Sequence, residues 1–171
     1  KGFSVDIEEN GEIFFITNKD GDTLSFDNSY NNFEFSLNYS NNLMDLKDRF
    51  YSLLSDVEDY FLQKRYTLAG LGTNPYKKYI QSSKVNYSTY KMIDHFLSSF
   101  KGEHGYNDFP AYLSSVQTHL DVPIERLDKA YTLFARLDFV RGLMFSNSLS
   151  FDGGKYLCYR DYLWEKSGFK N

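Results

Sequence analysis

The stretch Ser114-Ser115-Val116-Gln117-Thr118-His119-Leu120-Asp121 (residues 114–121) alternates between apolar and polar side chains. Successive side chains of a β-strand point to opposite faces, so the alternation predicts a strand whose apolar face carries Val116, Thr118 and Leu120. The other face would carry Ser115, Gln117, His119 and Asp121. Such a row is typical of the floor of a polar cleft, because a merely solvated face carries more Lys, Glu and Thr. The alternative is a half-exposed edge strand in which Asp121 caps the next helix.

The composition is that of a globular protein. The chain has 171 residues, 25% charged and 42% hydrophobic, which is enough for one domain with a full core. Aromatic residues make up 19%, so we expect a largely aromatic core. The single cysteine, Cys158, excludes an internal disulfide.

Charge and hydropathy restrict the partners. The formal net charge of −4 gives no electrostatic basis for binding nucleic acid or an anionic membrane surface. No apolar run approaches the roughly 18 residues of a membrane span. We therefore predict no nucleic-acid partner, no membrane partner and a cytoplasmic location.

The predicted elements begin with strands and continue mainly with helices. Strands are predicted over Phe3–Ile7, Glu12–Asn18, Thr23–Phe26 and Phe33–Leu37, with a hairpin turn at Asp20-Gly21. An apolar stripe predicts a helix over Asn41–Lys64, capped by Ser40 or Asn41, before a short strand over Tyr66–Leu71. Further helices are predicted over Tyr87–Phe100, from Pro123 onward and over Arg160–Lys166. This order predicts an α+β fold in a single domain, residues 1–171, with a mainly antiparallel sheet and helices on one face.

Three polar residues on the predicted strands are candidate metal ligands. Glu34 lies on the polar face of its strand, and Gln117 and His119 share a face of theirs. A carboxylate, an amide and an imidazole could hold a divalent cation, but oxygen ligands suit magnesium and imidazole suits softer metals, so the set leaves the metal open. The alternative for His119 is a structural histidine.

Two further patterns admit a functional and a structural interpretation. Gly70–Pro75 resembles a phosphate loop only loosely, because it lacks the lysine of a P-loop, and a tight strand exit explains it better. Arg160 and Trp164 are four residues apart on a predicted helix and therefore share a face. They could form an anion-binding and stacking surface, or simply a cation–π pair.

Several segments together resemble the glutamate–cysteine ligase family. The order and approximate spacing hold from about residue 23 to residue 165. Phe33-Glu34-Phe35-Ser36 resembles the family's "QFELS" segment, and Leu68–Pro75 resembles its "LGLGxxP" strand and loop. Val116–Asp121 resembles its "VQVNLD" or "QvHlD" strand. Leu143–Ser148 resembles "LFANSP", and Arg160–Trp164 resembles "RxxxW".

The resemblance implies a fold and a reaction. The fold would be glutamine-synthetase-like, a curved antiparallel sheet that forms a funnel with helices outside. The reaction would be ATP-dependent ligation of glutamate to an amine such as cysteine, a step of glutathione biosynthesis, through an acyl phosphate. ATP and Mg²⁺ would be the cofactors, and glutamate and the amine the small-molecule partners.

The resemblance also implies roles for individual residues. Glu34 and His119 would be metal ligands, and Gln117 and His119 would lie at the metal–phosphate end. Arg160 would neutralise charge on the transferred phosphoryl group or the glutamate carboxylate. Trp164 would wall the glutamate pocket, and Asn147 would contact substrate.

Some features of the family are missing. Its acidic ExE pair lies upstream of anything in this chain, and the chain starts with Lys1-Gly2 rather than methionine. We therefore expect a fragment of a larger ligase catalytic domain, inactive alone, that could pair with a missing N-terminal portion. The alternatives are a non-catalytic binding or assembly domain derived from the same fold and, less well supported, a metal-dependent hydrolase.

Overall fold

The computed structural model describes residues 2–76, 83–99, 109–148 and 154–166. The chain divides into two compact units, Lys1–Gly70 with Lys78–Ser99 and Leu71–Lys77 with Phe100–Asn171. The described residues contain both an antiparallel sheet and helices, which confirms the α+β class. The assignment of residues 1–171 to one domain stays a prediction.

The first unit contains a four-stranded antiparallel sheet within its described residues. Its strands are β1 (Ser4–Ile7), β2 (Ile13–Thr17), β3 (Thr23–Phe26) and β4 (Phe33–Ser36), paired in the order β1-β2-β3-β4. The four strands predicted in the first forty residues are therefore confirmed. Gly21 has φ +80° in the β2–β3 turn, and a Cβ there would lie 2.6 Å from Asn38 Nδ2, so this turn needs glycine.

The register of β3 and β4 gives this pair of strands one apolar and one polar face. Phe33 pairs with Phe26 and Phe35 with Leu24, while Glu34 pairs with Ser25. The apolar face packs on the long helix, with ring centroids 5.7 Å apart for Phe33 and Phe61 and 5.6 Å for Phe35 and Phe50. Glu34 is therefore on the opposite, polar face, as its alternation predicted.

The long helix, α1 (Leu43–Gln63), is confirmed, but the prediction of its cap was wrong. Asn42 is the N-cap, and its side chain accepts the Met44 N–H at 3.0 Å. The helix buries Leu53 and ends before Arg65, which has φ +63°. The strand predicted over Tyr66–Leu71 is absent: these residues form no ladder with any described strand.

The turn between β2 and β3 is tied to α1 by a buried carboxylate that the sequence did not indicate. Asp22, only 1% exposed, accepts the Asn38 N–H at 2.8 Å and forms an ion pair with Arg49 at 3.3 Å. The side chain of Asn18 donates to it at 3.1 Å. The turn, the exit of β4 and α1 are therefore held by one polar network.

The second helix of this unit, α2 (Ser88–Ser99), confirms the helix predicted over Tyr87–Phe100, of which Phe100 lies outside the described residues. Leu97 is its buried residue. Just before it, the buried Tyr87 donates its hydroxyl to the Ile13 carbonyl at 2.8 Å and packs edge-on against Phe14. Tyr87 is thus an aromatic core residue, but seven of the nine buried hydrophobic residues in the described part of the chain are aliphatic, so the prediction of a largely aromatic core was wrong.

The second unit is helical within its described residues. It contains 3₁₀ turns at Phe109–Tyr112 and Ile124–Arg126, and the helices α3 (Leu127–Phe145) and α4 (Tyr159–Lys166). The helix predicted after Pro123 thus starts with a 3₁₀ turn, and the predicted last helix is confirmed. Tyr159 and Leu163 of α4 are buried, whereas no residue of α3 is. No helix among the described residues has both the length and the apolar character that a bilayer crossing requires.

The polar-faced strand predicted over residues 114–121 is wrong. This segment has no regular secondary structure, and both of its larger apolar side chains are exposed, Val116 to 98% and Leu120 to 58%. Among the described residues, the N–H groups of residues 115–121 make no backbone hydrogen bond. Alternation supplies a strand's side-chain pattern, but a strand also needs a neighbouring backbone with which to pair.

Candidate functional site

The predicted site residues are divided between the two units. Glu34 belongs to the first unit, where it is exposed on the polar sheet face and its Oε1 accepts the Ser36 hydroxyl at 3.0 Å. Gln117 and His119 belong to the second unit and are exposed on the irregular segment 114–121. Because that segment is not a strand, these two side chains do not line the floor of a sheet cleft.

A pocket in the second unit brings together two of the predicted residues, Arg160 and Trp164. Its volume is about 480 Å³, and it opens between α3, α4 and the segment 114–121. The lining residues are Val116, Asp138, Arg141, Arg160, Asp161 and Trp164. This pocket is the best candidate for a functional site in the described part of the chain.

Helix periodicity places the charged residues at the pocket. Asp138 and Arg141 are three residues apart on α3, and Arg160 and Trp164 are four apart on α4, so each pair shares a helix face. Val116 contributes an apolar wall from the irregular segment. Two guanidinium groups, two carboxylates and an indole therefore converge on one opening.

Arg141 connects both carboxylates of the pocket. Its Nε donates to Asp138 Oδ1 at 2.9 Å, and its Nη2 donates to Asp161 Oδ2 at 3.2 Å. The hydrogen bond to Asp138 raises the pKa of the Arg141 guanidinium, and the charge of Asp161 acts in the same direction. Arg141 is therefore a permanent cation with both of its carboxylate partners in place.

Arg160 is bound much more loosely. Its Nη1 lies 3.9 Å from Asp161 Oδ1, which is beyond hydrogen-bonding distance. Among the described residues, its guanidinium makes no hydrogen bond. With a side chain 24% exposed, Arg160 keeps its fork of N–H donors available to a ligand in the pocket.

Ser148 sets the position of α4 and hence of Arg160. This residue is buried, and its Oγ accepts the backbone N–H of Arg160 at 3.1 Å, at the start of the helix. The same hydroxyl donates to Cys158 Sγ at 3.7 Å. Buried Tyr159 and Leu163 anchor the adjacent side of α4, so the helix presents Arg160 and Trp164 to the pocket from a fixed base.

Gly72 is the point at which two of the motif segments, Leu68–Pro75 and Leu143–Ser148, meet beside Ser114. A Cβ at Gly72 would lie 2.6 Å from Asn147 Oδ1 and 3.1 Å from Ser148 Cβ, so only glycine fits here. Its N–H donates to the Asn147 carbonyl at 3.3 Å, and its carbonyl accepts the Ser114 N–H at 3.1 Å. Asn147 thus lies at this junction and is not among the residues that line the pocket.

The described residues do not by themselves form a metal site. Among them, no group of three or more His, Cys, Asp or Glu side chains is placed to hold a metal ion. Of the predicted ligands, Glu34 is in one unit and Gln117 and His119 are in the other. The described residues of neither unit alone provide the set that a magnesium ion would need.

Sequence reasoning missed Val116, Asp138 and Arg141 as pocket residues. The spacing of Asp138 and Arg141 on a helix was a usable signal, because residues three apart form ion pairs on one face. Val116 carried no such signal, since the alternation of residues 114–121 predicted that it lies on the apolar face of a strand.

Comparisons of the chain with known protein families, with curated proteins and with solved structures find no match. The likeness of its motif segments to those of glutamate–cysteine ligases therefore stays a prediction.

Proposed function

We propose that this chain is part of an ATP-dependent carboxylate–amine ligase that joins glutamate to cysteine or a related amine as a γ-glutamyl amide. The observation that carries the proposal is the convergence of motif segments in the second unit. Gly72, Ser114, Asn147 and Ser148 are joined by close backbone contacts, and Ser148 binds the backbone of Arg160. Segments far apart in the sequence are thus joined to the start of α4, the helix that contributes a cation and an indole to the pocket.

The chemistry of the pocket suits acyl-phosphate formation. Transfer of a phosphoryl group to a carboxylate requires positioning and cationic stabilisation of developing charge, and no nucleophilic side chain. Arg160 provides five N–H donors that match the planar geometry of a carboxylate or phosphate. Trp164 provides an apolar wall for the methylene groups of an amino-acid substrate.

The proposal includes ATP and Mg²⁺ as cofactors and a glutamine-synthetase-like curved sheet as the complete fold. In the first unit, Glu34 on the polar face of β4 would be an oxygen ligand of a metal ion. In the second unit, Gln117 and His119 would contact phosphate groups. When bound, Mg²⁺ would neutralise charge on the nucleotide phosphates. Further ligands would come from the acidic pair that precedes this region in the family. A cytoplasmic location belongs to the same proposal, because the reaction consumes ATP.

The reaction can be tested directly on the full-length protein. It would be incubated with ATP, Mg²⁺, L-glutamate and a panel of amines that includes L-cysteine, and release of ADP and phosphate would be measured. We expect release only when both glutamate and an acceptor amine are present. ADP release that does not depend on glutamate would contradict the proposed reaction.

A second candidate, a non-catalytic binding or assembly domain, is favoured by the surface of α3. Large apolar side chains on this helix are exposed, among them Tyr131, Phe134 and Phe139. The coding sequence upstream of this chain separates the two candidates. A strand with an ExE pair would favour the enzyme, since it supplies the missing metal ligands, and its absence would favour the assembly domain.

A further inference from the structure

We propose that Arg141 is a positioning residue that keeps Arg160 available to an oxyanion by holding Asp161. The inference rests on the proposed function only in taking Arg160 as the anion-binding group of the pocket. Three distances carry it: Arg141 Nε to Asp138 Oδ1 is 2.9 Å, Arg141 Nη2 to Asp161 Oδ2 is 3.2 Å, and Arg160 Nη1 to Asp161 Oδ1 is 3.9 Å.

Asp161 is placed between two cations and is hydrogen-bonded to one of them. Its carboxylate bonds to Arg141 and stops just short of Arg160, the residue before it in α4. Among the described residues, these two arginines are the cations that contact Asp161. Without Arg141, the nearest guanidinium to this carboxylate is that of Arg160, and a small side-chain rotation would bring the two into hydrogen-bonding distance.

Asp138 prevents Arg141 from acting as the anion receptor itself. Arg141 already donates to two carboxylates, one on its own helix and one on α4. An incoming anion would have to displace one of them, whereas the guanidinium of Arg160 makes no hydrogen bond among the described residues. Asp138 and Arg141 therefore restrain Asp161, which would otherwise compete with the ligand for Arg160.

The chain contains its own reporter for this pocket. Trp164 is the single tryptophan of the sequence and lines the pocket with Arg160. Its fluorescence would be followed while the 171-residue chain is titrated with inorganic phosphate or, separately, with L-glutamate, at low ionic strength and against matched chloride. Both ligands present anionic oxygens to the pocket. Comparison of the two titrations shows whether the pocket prefers a phosphoryl group or a carboxylate.

The expected order of affinities follows from competition. Arg141→Gln should weaken binding of the anion by roughly fivefold, the size of one partly exposed ion pair. Asp161→Asn should bind the anion at least as tightly as the unchanged chain. The double variant, Arg141→Gln with Asp161→Asn, should have an affinity within about twofold of that of the unchanged chain. Arg136→Gln, the same charge change on α3 at a residue that does not line the pocket, is the control.

Three outcomes would overturn the inference. The first is that Arg141→Gln binds the anion as well as Arg136→Gln does. The second is that the double variant binds as weakly as Arg141→Gln, and this result would mean that Arg141 contacts the anion itself. A chain that gives no tryptophan response to either anion would mean that Arg160 binds none. Circular dichroism melting confirms that each variant is folded. If ligase turnover of the full-length protein fails while this order of affinities holds, only the proposed reaction is wrong.

Discussion

Strand β4 and the segment 114–121 have the same alternating pattern in the sequence and very different structures. In β4, Phe33 and Phe35 pack against α1 while Glu34 faces away, and the strand pairs along its length with β3. In the segment, Val116 and Leu120 are exposed and the backbone has no strand partner among the described residues. Alternation therefore predicts which side chains could share a face, whereas a paired backbone and a packed apolar face decide whether a strand forms.

Amide hydrogen exchange of the 171-residue chain would test this comparison most strongly. We expect amides bonded between β3 and β4 to exchange at least about 10³-fold more slowly than those of residues 115–121, since exchange in a paired strand requires unfolding of the sheet. Mass spectrometry of peptides covering both regions measures the ratio. Equal protection in the two regions would show that the segment is paired and that the polar-faced strand exists.

The next largest difference is expected between the helices. Leu53→Ala on α1 should cost roughly 2–5 kcal/mol of unfolding free energy, because it leaves a cavity at a side chain only 6% exposed. Leu133→Ala on α3 is the matched control, since Leu133 is 54% exposed and its truncation should cost under about 0.5 kcal/mol. Urea unfolding followed by circular dichroism gives both values. A similar cost for both variants would mean that α3 is covered as α1 is.

The sequence predicted local structure well and long-range pairing poorly. The strands up to Phe33–Ser36, α1 and α4 follow from side-chain periods and turn residues that lie close together in the chain. The strands predicted over Tyr66–Leu71 and residues 114–121 needed partners that no local pattern specifies. Arg160 and Trp164 were predicted together because one helix carries both, while Arg141 joins them through tertiary structure.

A third prediction concerns catalysis by exposed polar residues of the second unit. In the ligase reaction proposed above, Arg160→Ala of the full-length protein should lower turnover by on the order of 10²-fold, because the cation proposed to stabilise developing negative charge is lost. Its melting temperature should hardly change, since the guanidinium makes no hydrogen bond among the described residues. His119→Ala should also lower turnover without loss of stability, as its side chain is exposed. If His119→Ala unfolds the protein and the folded remainder is fully active, His119 is a structural residue.

The smallest effect is expected from a carboxyl group beside the sheet. Asp27, directly after β3, accepts the Tyr90 hydroxyl at 2.9 Å and the Asn32 side-chain amide at 3.3 Å. Burial raises the pKa of Asp27 above the ordinary 3.8, and the bond from Tyr90 only partly opposes this. Burial also raises the pKa of Tyr90, which therefore remains the donor.

The sign of the pH dependence follows from this raised pKa. The folded state retains the Asp27 proton at pH values where the unfolded chain has lost it, so the resulting stabilisation is complete below pH 3.8 and disappears as the pH rises through the folded pKa. Asp27→Asn cannot ionise, so the stability of the unchanged chain relative to this variant should fall over that window. Urea unfolding at a series of pH values measures the difference, with Asp121→Asn as control, because it removes the same charge from an exposed side chain. A relative stability that rises with pH would mean that Asp27 is stabilised as a carboxylate and would contradict this prediction.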